Sequence, residues 1–261
     1  MIRSLYTAAT GMEAQQTRMD VTANNLANAN TTGFKKERAE FEDLLSTVQR
    51  MPGAADQRSP SEPSPLEVGM GVRIAATARS MSQGELLNTK NPLDVAIEGA
   101  GFLAVRLPGG DLGYTRAGNL RVDSEGRLVT AHGDPLEPDV SIPADALSVT
   151  IKRDGTVEAR VPGRDEPQAL GQLELTLFPN PNGLVSLGRN LLAASPACGE
   201  PLRVAPGEQG AGSLAQGFLE NSNVQAVEEM IDLISTQRAY ELNSKVIQTA
   251  DQMLQRLTSL R

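Results

Sequence analysis

Apolar residues recur every third or fourth position at both ends of this chain, a spacing that a helix gathers onto one side. Near the start the series is Ile2, Leu5, Ala9, Met12, Met19, Ala23 and Leu26, one heptad stripe broken only by Gln16. Near the end it is Ala239, Leu242, Val246, Ala250, Met253, Leu257 and Leu260. Everything between reads as strands, turns and loops. The fold class expected is therefore mainly β with α-helical termini: an all-β central domain plus a discontinuous, coiled-coil-like terminal helical domain. Two such ends pack on each other or on neighbouring subunits, the layout of a self-assembling structural subunit rather than of an enzyme.

The first helix is expected from about Ser4 to about Ala29. At ~1.5 Å per residue it is roughly 39 Å long, which calls for a partner along its length. Gly11, Asn24, Asn25, Asn28 and Asn30 are poor helix-interior residues, and Thr31-Thr32-Gly33 ends it. The helix is thus expected to be weak in the isolated chain and to order on assembly. Lys35-Lys36-Glu37-Arg38, ahead of Phe41, Leu44 and Leu45, is compatible with a further helical turn or an extended arm. Pro52, Pro60, Pro63 and Pro65 rule out a helix or a central strand over 51–65.

Strand signals start near Val72. Leu120 and Val122, then Asp123-Ser124-Glu125-Gly126, then Leu128 and Val129 make a hairpin pattern. The clearest hairpin alternates through Leu147, Val149 and Ile151, turns at Asp154-Gly155, and alternates back through Val157, Ala159 and Val161. Leu173, Leu175 and Leu177 form another one-sided strand. The expected division is an N-terminal helix over 1–33, an extended Pro-rich connection over 34–72, a β-domain over 73–215, and a C-terminal helical segment over 216–261 that pairs with 1–33.

Site chemistry is sparse. One histidine and one cysteine, His132 and Cys198, exclude clustered His/Cys metal sites by number. His132 lies in Ala-His-Gly-Asp-Pro, which is turn sequence, and Asp123 and Glu125 sit in a hairpin loop. The glycine runs 99–101 and 207–212 lack the strand-to-helix setting and the following Lys of a phosphate cradle, so no cofactor is expected. A formal net charge of −8 disfavours nucleic acid, and an aromatic content of 3 % disfavours ring-stacking clefts. No run of ~20 apolar residues suggests membrane insertion. Thr7, Thr10, Glu13 and Gln15 interrupt any pattern of a cleavable secretion signal.

Four separated words then narrow the reading. Residues 23–35, ANNLANANTTGFK, resemble the N-terminal signature of the bacterial flagellar rod and hook family. Residues 94–102, DVAIEGAGF, and 114–119, YTRAGN, continuing to 126–130, GRLVT, resemble the family's central β-domain motifs. Residues 220–224, ENSNV, with 236–241, TQRAYE, and 243–245, NSK, match its C-terminal run. Within the family the chain is most similar to the distal rod members, on its length, the segment from about Arg50 to Gly71, and Gln237 to Glu241.

The resemblance implies a homo-oligomeric helical filament, a tube with terminal helices lining the inside and the β-domain outside. It implies torque transmission from motor to hook and passage of exported subunits through the channel. The implied partners are proximal rod proteins, the hook protein or its junction, the surrounding P and L ring proteins, and the flagellar type III export apparatus. The implied location is the periplasm-spanning rod of the basal body, reached without a cleavable signal peptide. The expected assembly interface comprises Ile2, Leu5, Ala9, Met12, Met19, Ala23, Asn24, Asn25, Leu26, Asn28, Gln237, Arg238, Tyr240, Leu242, Val246, Met253 and Leu257. The apolar stripes are expected to zip the terminal helices together, and Asn24, Asn25 and Asn28 to bond between subunits. The segment carrying Pro52, Pro60, Pro63 and Pro65 is expected to stiffen the rod. Two alternatives stay open: a hook or proximal rod subunit, and a secreted β-domain enzyme using His132.

Overall fold

A computed structural model describes residues 2–50, 65–163 and 166–259 of the chain. Pro52, Pro60 and Pro63 lie outside the described residues, as do the side chains of Ile2 and Leu257; Pro65 is exposed just before the strand Leu66–Val68. The chain divides into two compact units, one of Met1–Leu26, Glu37–Ala78 and Gln225–Arg261, the other of Ala27–Lys36 and Arg79–Val224.

The first unit holds the two long helices, α1 (Ile2–Ala27) and α2 (Ala226–Ser259). α1 stops two residues short of the expected Ala29. Thr31 N–H bonds the carbonyl of Asn28 at 3.1 Å, and Gly33 turns the chain with φ +69°. Glu228 and Glu229 in the first turn of α2 and Arg256 in its last complement the helix dipole. Methyl placement at Gly11 would bring Cβ within 3.0 Å of Asn243 Nδ2; Arg18 pairs with Asp232 at 3.6 Å, and Asn25 bonds Glu229 at 3.1 Å. Positions rise along one helix as they fall along the other, so α1 and α2 pair antiparallel.

The charged segment after Gly33 is extended, not helical. Glu37–Asp43 pairs with Val72–Arg79, and beyond it Thr47–Arg50 pairs antiparallel with Leu66–Val68. Thr10 Oγ1 on α1 accepts from Val72 N–H at 3.5 Å. The ribbon thus belongs with the helices: Glu37–Ala78 lies in the first unit, and Ala27–Lys36 in the second.

The second unit is β-rich. Its largest sheet runs Val185–Gly188, Leu191–Ala193, Leu112–Thr115, Phe102–Arg106, Leu175–Leu177, Leu202–Val204, with Leu136–Glu137 also on Phe102–Arg106. Its pairings are antiparallel, with Leu103 opposite Thr115 and Leu175 opposite Leu103. The hairpin legible in the sequence forms with Val149 opposite Ala159, and Gln168–Gln172 adds a third strand. Phe218–Glu220 pairs with Leu86–Asn88, which keeps 216–224 in this unit rather than in the C-terminal helical segment.

Strand Phe102–Arg106 is buried on both faces. Leu103 and Val105 enter a core with Val95, Ile97, Leu128, Leu173 and Leu175, while Phe102 and Ala104 enter a second cluster with Tyr114, Phe178 and Cys198. That is the period of two expected of a central strand. Phe178 meets Tyr114 edge-on at 4.8 Å and Phe102 at 5.9 Å. Leu175, fully buried at the centre, should cost ~2–5 kcal/mol on Leu175→Ala. Urea unfolding of the purified chain checks this; a change under about 1 kcal/mol would show that the site collapses without a cavity.

Candidate functional site: the terminal helices and a buried ionic cluster

The face that α1 turns to α2 is small and polar. Ala8, Thr22 and Asn25 are buried in α1, and Glu229, Thr236 and Ala250 are buried in α2. Glu229, Thr236, Asn243 and Ala250 recur every seven residues, and Ala8, Gly11, Arg18, Thr22 and Asn25 are spaced by three, seven, four and three. On α1 this seam lies one residue out of step with the apolar stripe; on α2 the two share Ala250. Leu5, Met12, Met19 and Leu26 are half-buried; Ala9 and Ala23 are exposed. The expected zip of apolar stripes within one chain is therefore corrected. Small residues such as Gly11 let the backbones approach, and Asn25 and Arg18 find partners across the seam in Glu229 and Asp232.

Asn25 illustrates this. Its Nδ2 donates to Glu229 Oε2 and to the Glu37 carbonyl at 2.8 Å, and its Oδ1 accepts from Glu37 N–H at 2.9 Å. The amide is spent within the chain at 1 % exposure. Asn24 is exposed, and Asn28, half-buried, accepts from the Thr31 hydroxyl at 3.1 Å.

α2 presents its large apolar residues elsewhere. Val227 (71 % exposed), Ile231 (62 %), Ile234, Leu242 (62 %), Val246 and Met253 stand on the solvent side, with Gln237, Arg238 and Tyr240 exposed among them. Sequence reading found the last three apolar positions but missed Val227, Ile231 and Ile234, which continue the same threes and fours toward the N-terminus of α2. The ribbon also exposes Phe41, Leu45, Val48 and Leu66. A two-stranded ribbon is marginal in water by itself.

In the β-rich unit the four sequence words converge on one buried carboxylate, a role that the sequence reading assigned to none of them. Glu220 is fully buried. Its Oε1 accepts from Lys35 Nζ at 2.5 Å and from Gly84 N–H at 3.0 Å, and its Oε2 accepts from Arg116 Nε at 2.8 Å. Lys35 also donates to the Ser82 carbonyl at 2.7 Å. Arg116 donates to the carbonyls of Gly101 at 3.1 Å, Gly99 at 2.9 Å and Ile97 at 3.4 Å. Around the ions the backbone closes tightly. Gly33 N–H bonds the Glu220 carbonyl at 2.8 Å, and a Cβ at Gly33 would lie 2.8 Å from Ala117 N. Gly118 has no room either, since its Cβ would sit 1.6 Å from the Val95 carbonyl oxygen.

Burial pushes the Glu220 carboxyl up, but Arg116, the Lys35 and Gly84 hydrogen bonds and the Lys35 charge together outweigh it and hold the group below its ordinary 4.5. Burial, then Arg116, draws the Lys35 amine below 10.5 against the pull of Glu220. The remaining polar sites are structural. Asp123 caps its hairpin by accepting from the backbone N–H of Glu125 and Arg127 and from the Arg127 guanidinium. His132 is an exposed turn residue whose N–H meets Thr130 Oγ1 at 3.3 Å.

Family models match in three stretches: "Flagella basal body rod protein" over 5–35, "Flagellar hook protein FlgE/F/G D1 domain" over 96–159, and "Flagellar basal body rod FlgEFG protein C-terminal" over 215–260. Flagellar basal-body rod protein FlgG of Buchnera aphidicola subsp. Schizaphis graminum is 46 % identical over 260 residues, covering 100 % of both chains. FlgG of Caulobacter vibrioides is 44 % identical and FlgG of Bacillus subtilis 38 %, each again over the full length of both. The chain belongs to the flagellar basal-body rod and hook family. It is most like the distal rod type, and it is a structural subunit of the flagellar rod. Lys35, Arg116 and Glu220 each fall within a matched stretch, so the cluster joins what those models describe separately.

Removing one partner of a buried ion pair leaves the other uncompensated, so Glu220→Gln should cost ~3–5 kcal/mol at neutral pH. Because the native carboxyl titrates below 4.5, its stabilisation is present above that value and fades as pH falls through the lower native value. The gap between wild type and Glu220→Gln in urea midpoints should therefore close in acid; a gap independent of pH would contradict the ionic account.

Proposed function

We propose that this rod subunit polymerises through the outward apolar face of α2, building the distal rod as a helical tube. The supporting observation is the set of Val227, Ile231, Ile234, Leu242, Val246 and Met253 left in water along one helix. A polar seam within the chain and an apolar face outside it distribute the energy unevenly. Covering each of those side chains is worth ~1.5–3 kcal/mol, more than the intrachain polar contacts return. Copies related by an open head-to-tail operation give a filament instead of a closed ring.

In this reading the terminal helices line the channel through which later subunits pass unfolded, and the β-rich unit faces outward. The tube transmits torque from motor to hook and performs no catalysis. Its partners are further copies, the proximal rod proteins, the hook protein or its junction, the P and L ring proteins, and the flagellar type III export apparatus that delivers it without a cleavable signal. It spans the periplasm in the basal body and takes no cofactor.

Ile231→Glu with Ile234→Glu should raise the critical concentration for polymerisation by about 100-fold or more, since two lost contacts total ~3 kcal/mol at least. Sedimentation across a concentration series checks this, and an unchanged threshold counts against the α2 face. The segment 50–68 is proposed to wedge between subunits and hold the rod straight, its prolines restricting the backbone. Deleting it should give curved, hook-like polymers by electron microscopy. Straight rods from the deleted chain would refute that role.

A further inference from the structure

The ionic cluster fastens a segment that the β-rich core does not need for packing. The two hydrophobic clusters of that unit draw on buried residues between 95 and 214 and take none from 27–36. What holds 27–36 is polar. Gly33 N–H reaches the Glu220 carbonyl, Lys35 reaches Glu220 and Ser82, and Lys36 N–H reaches Asn223 Oδ1 at 2.7 Å. Ser80 N–H returns to the Lys36 carbonyl at 2.8 Å, and Asn223 Nδ2 bonds the Ser80 and Ser82 carbonyls. An edge held this way opens as a local unit, ahead of a core held by apolar packing.

The partners are also far apart in the chain. Lys35 and Glu220 are separated by 185 positions, and Arg116 lies between. Whenever the chain emerges from its N-terminus, Lys35 has no carboxylate to meet until residue 220 has appeared. The cluster adjoins both helices: Lys35 follows α1, which ends at Ala27, and Glu220 precedes α2, which starts at Ala226, each within ten residues.

We propose that Lys35, Arg116 and Glu220 form a latch that licenses assembly: only a chain in which the latch is closed fixes both segments from which the helices run. The proposal rests on the assembly reading above and adds its regulation. A copy with the latch open leaves these segments unfixed and adds to the growing end slowly. Burial of the ions makes the latch exacting, because a partial match leaves a charge without a partner.

The test uses the full chain. Lys35→Met leaves the Arg116–Glu220 pair neutral and the core untouched; Glu220→Gln opens the latch from the other side. A lysine-specific protease reports on the segment, since Lys36 remains in both variants. Amide exchange in Phe102–Arg106 and Leu175–Leu177 reports on the core, and elongation of sonicated wild-type polymer seeds reports on assembly.

In Lys35→Met we expect native-state cleavage at Lys36 to rise ~10-fold while the core strands still open far less often than the segment, and seeded elongation to slow ~10-fold. Unchanged cleavage overturns the latch. Core strands that open as often as the segment overturn it too, because the cluster is then ordinary core. Faster cleavage with normal elongation overturns the licensing role. Wild-type chain that never elongates seeds overturns the assembly reading and the licensing with it, while cleavage and exchange still decide whether the latch exists.

Discussion

Glu220 is the point on which the β-rich unit's terminal segments depend. Two cations meet one carboxylate out of water, an arrangement that ion pairing alone leaves with an excess positive charge. Backbone carbonyls absorb it: that of Ser82 accepts a hydrogen bond from Lys35, and those of Ile97, Gly99 and Gly101 accept from the Arg116 guanidinium. The glycines at 99 and 101, with φ +116° and +132°, turn the chain so that those carbonyls point inward. An apolar trio of similar volume would pack here at no loss of stability, but it would accept many partners. A cation of fixed reach against a carboxylate accepts few, and so selects one pairing of distant segments.

Much of the fold was legible because periodicity is local. The 147–161 hairpin appears in the register that its alternation predicts, with Val149 opposite Ala159, since strict period-two patterning fixes which face is buried. The ends of α1 were legible to within two residues, its C-terminal end because Gly33 can take the left-handed turn that stops it. The ribbon Glu37–Asp43 with Val72–Arg79 was not, because its strands lie on either side of the Pro-rich segment and carry as many charged as apolar residues. The β-rich unit's reach to Val224 was also hidden, as Phe218–Glu220 is short and pairs with a strand some 130 positions earlier.

The ionic cluster was present in the sequence only as three charged residues inside three family words. Lys35 follows Phe34, Arg116 sits between Thr115 and Ala117, and Glu220 ends Phe218-Leu219-Glu220. Nothing in a single sequence distinguishes a charge that will be buried from one on a solvated face. Arg116 and Glu220 each stand in a short stretch poor in other charges, where a solvated surface strand would carry more, but Lys35, followed by Lys36-Glu37-Arg38, carries no such clue.

The helix seam was misread for a physical reason that bears on function. Large apolar residues at heptad spacing were expected to meet within the chain, but Gly11, Thr22, Asn25, Thr236 and Asn243 hold that position instead. An apolar intrachain seam would compete with any contact a neighbouring copy offers, since the same side chains cannot be covered twice. Polar and small residues across the seam fix how the two helices register at little energetic gain, because each hydrogen bond replaces one made to water. The apolar side chains are thereby left for a partner whose arrival removes them from water. Weak, specific pairing inside the chain and strong, less specific burial outside it follow from one division of residue types around α2, and that division favours the polymer over the closed monomer.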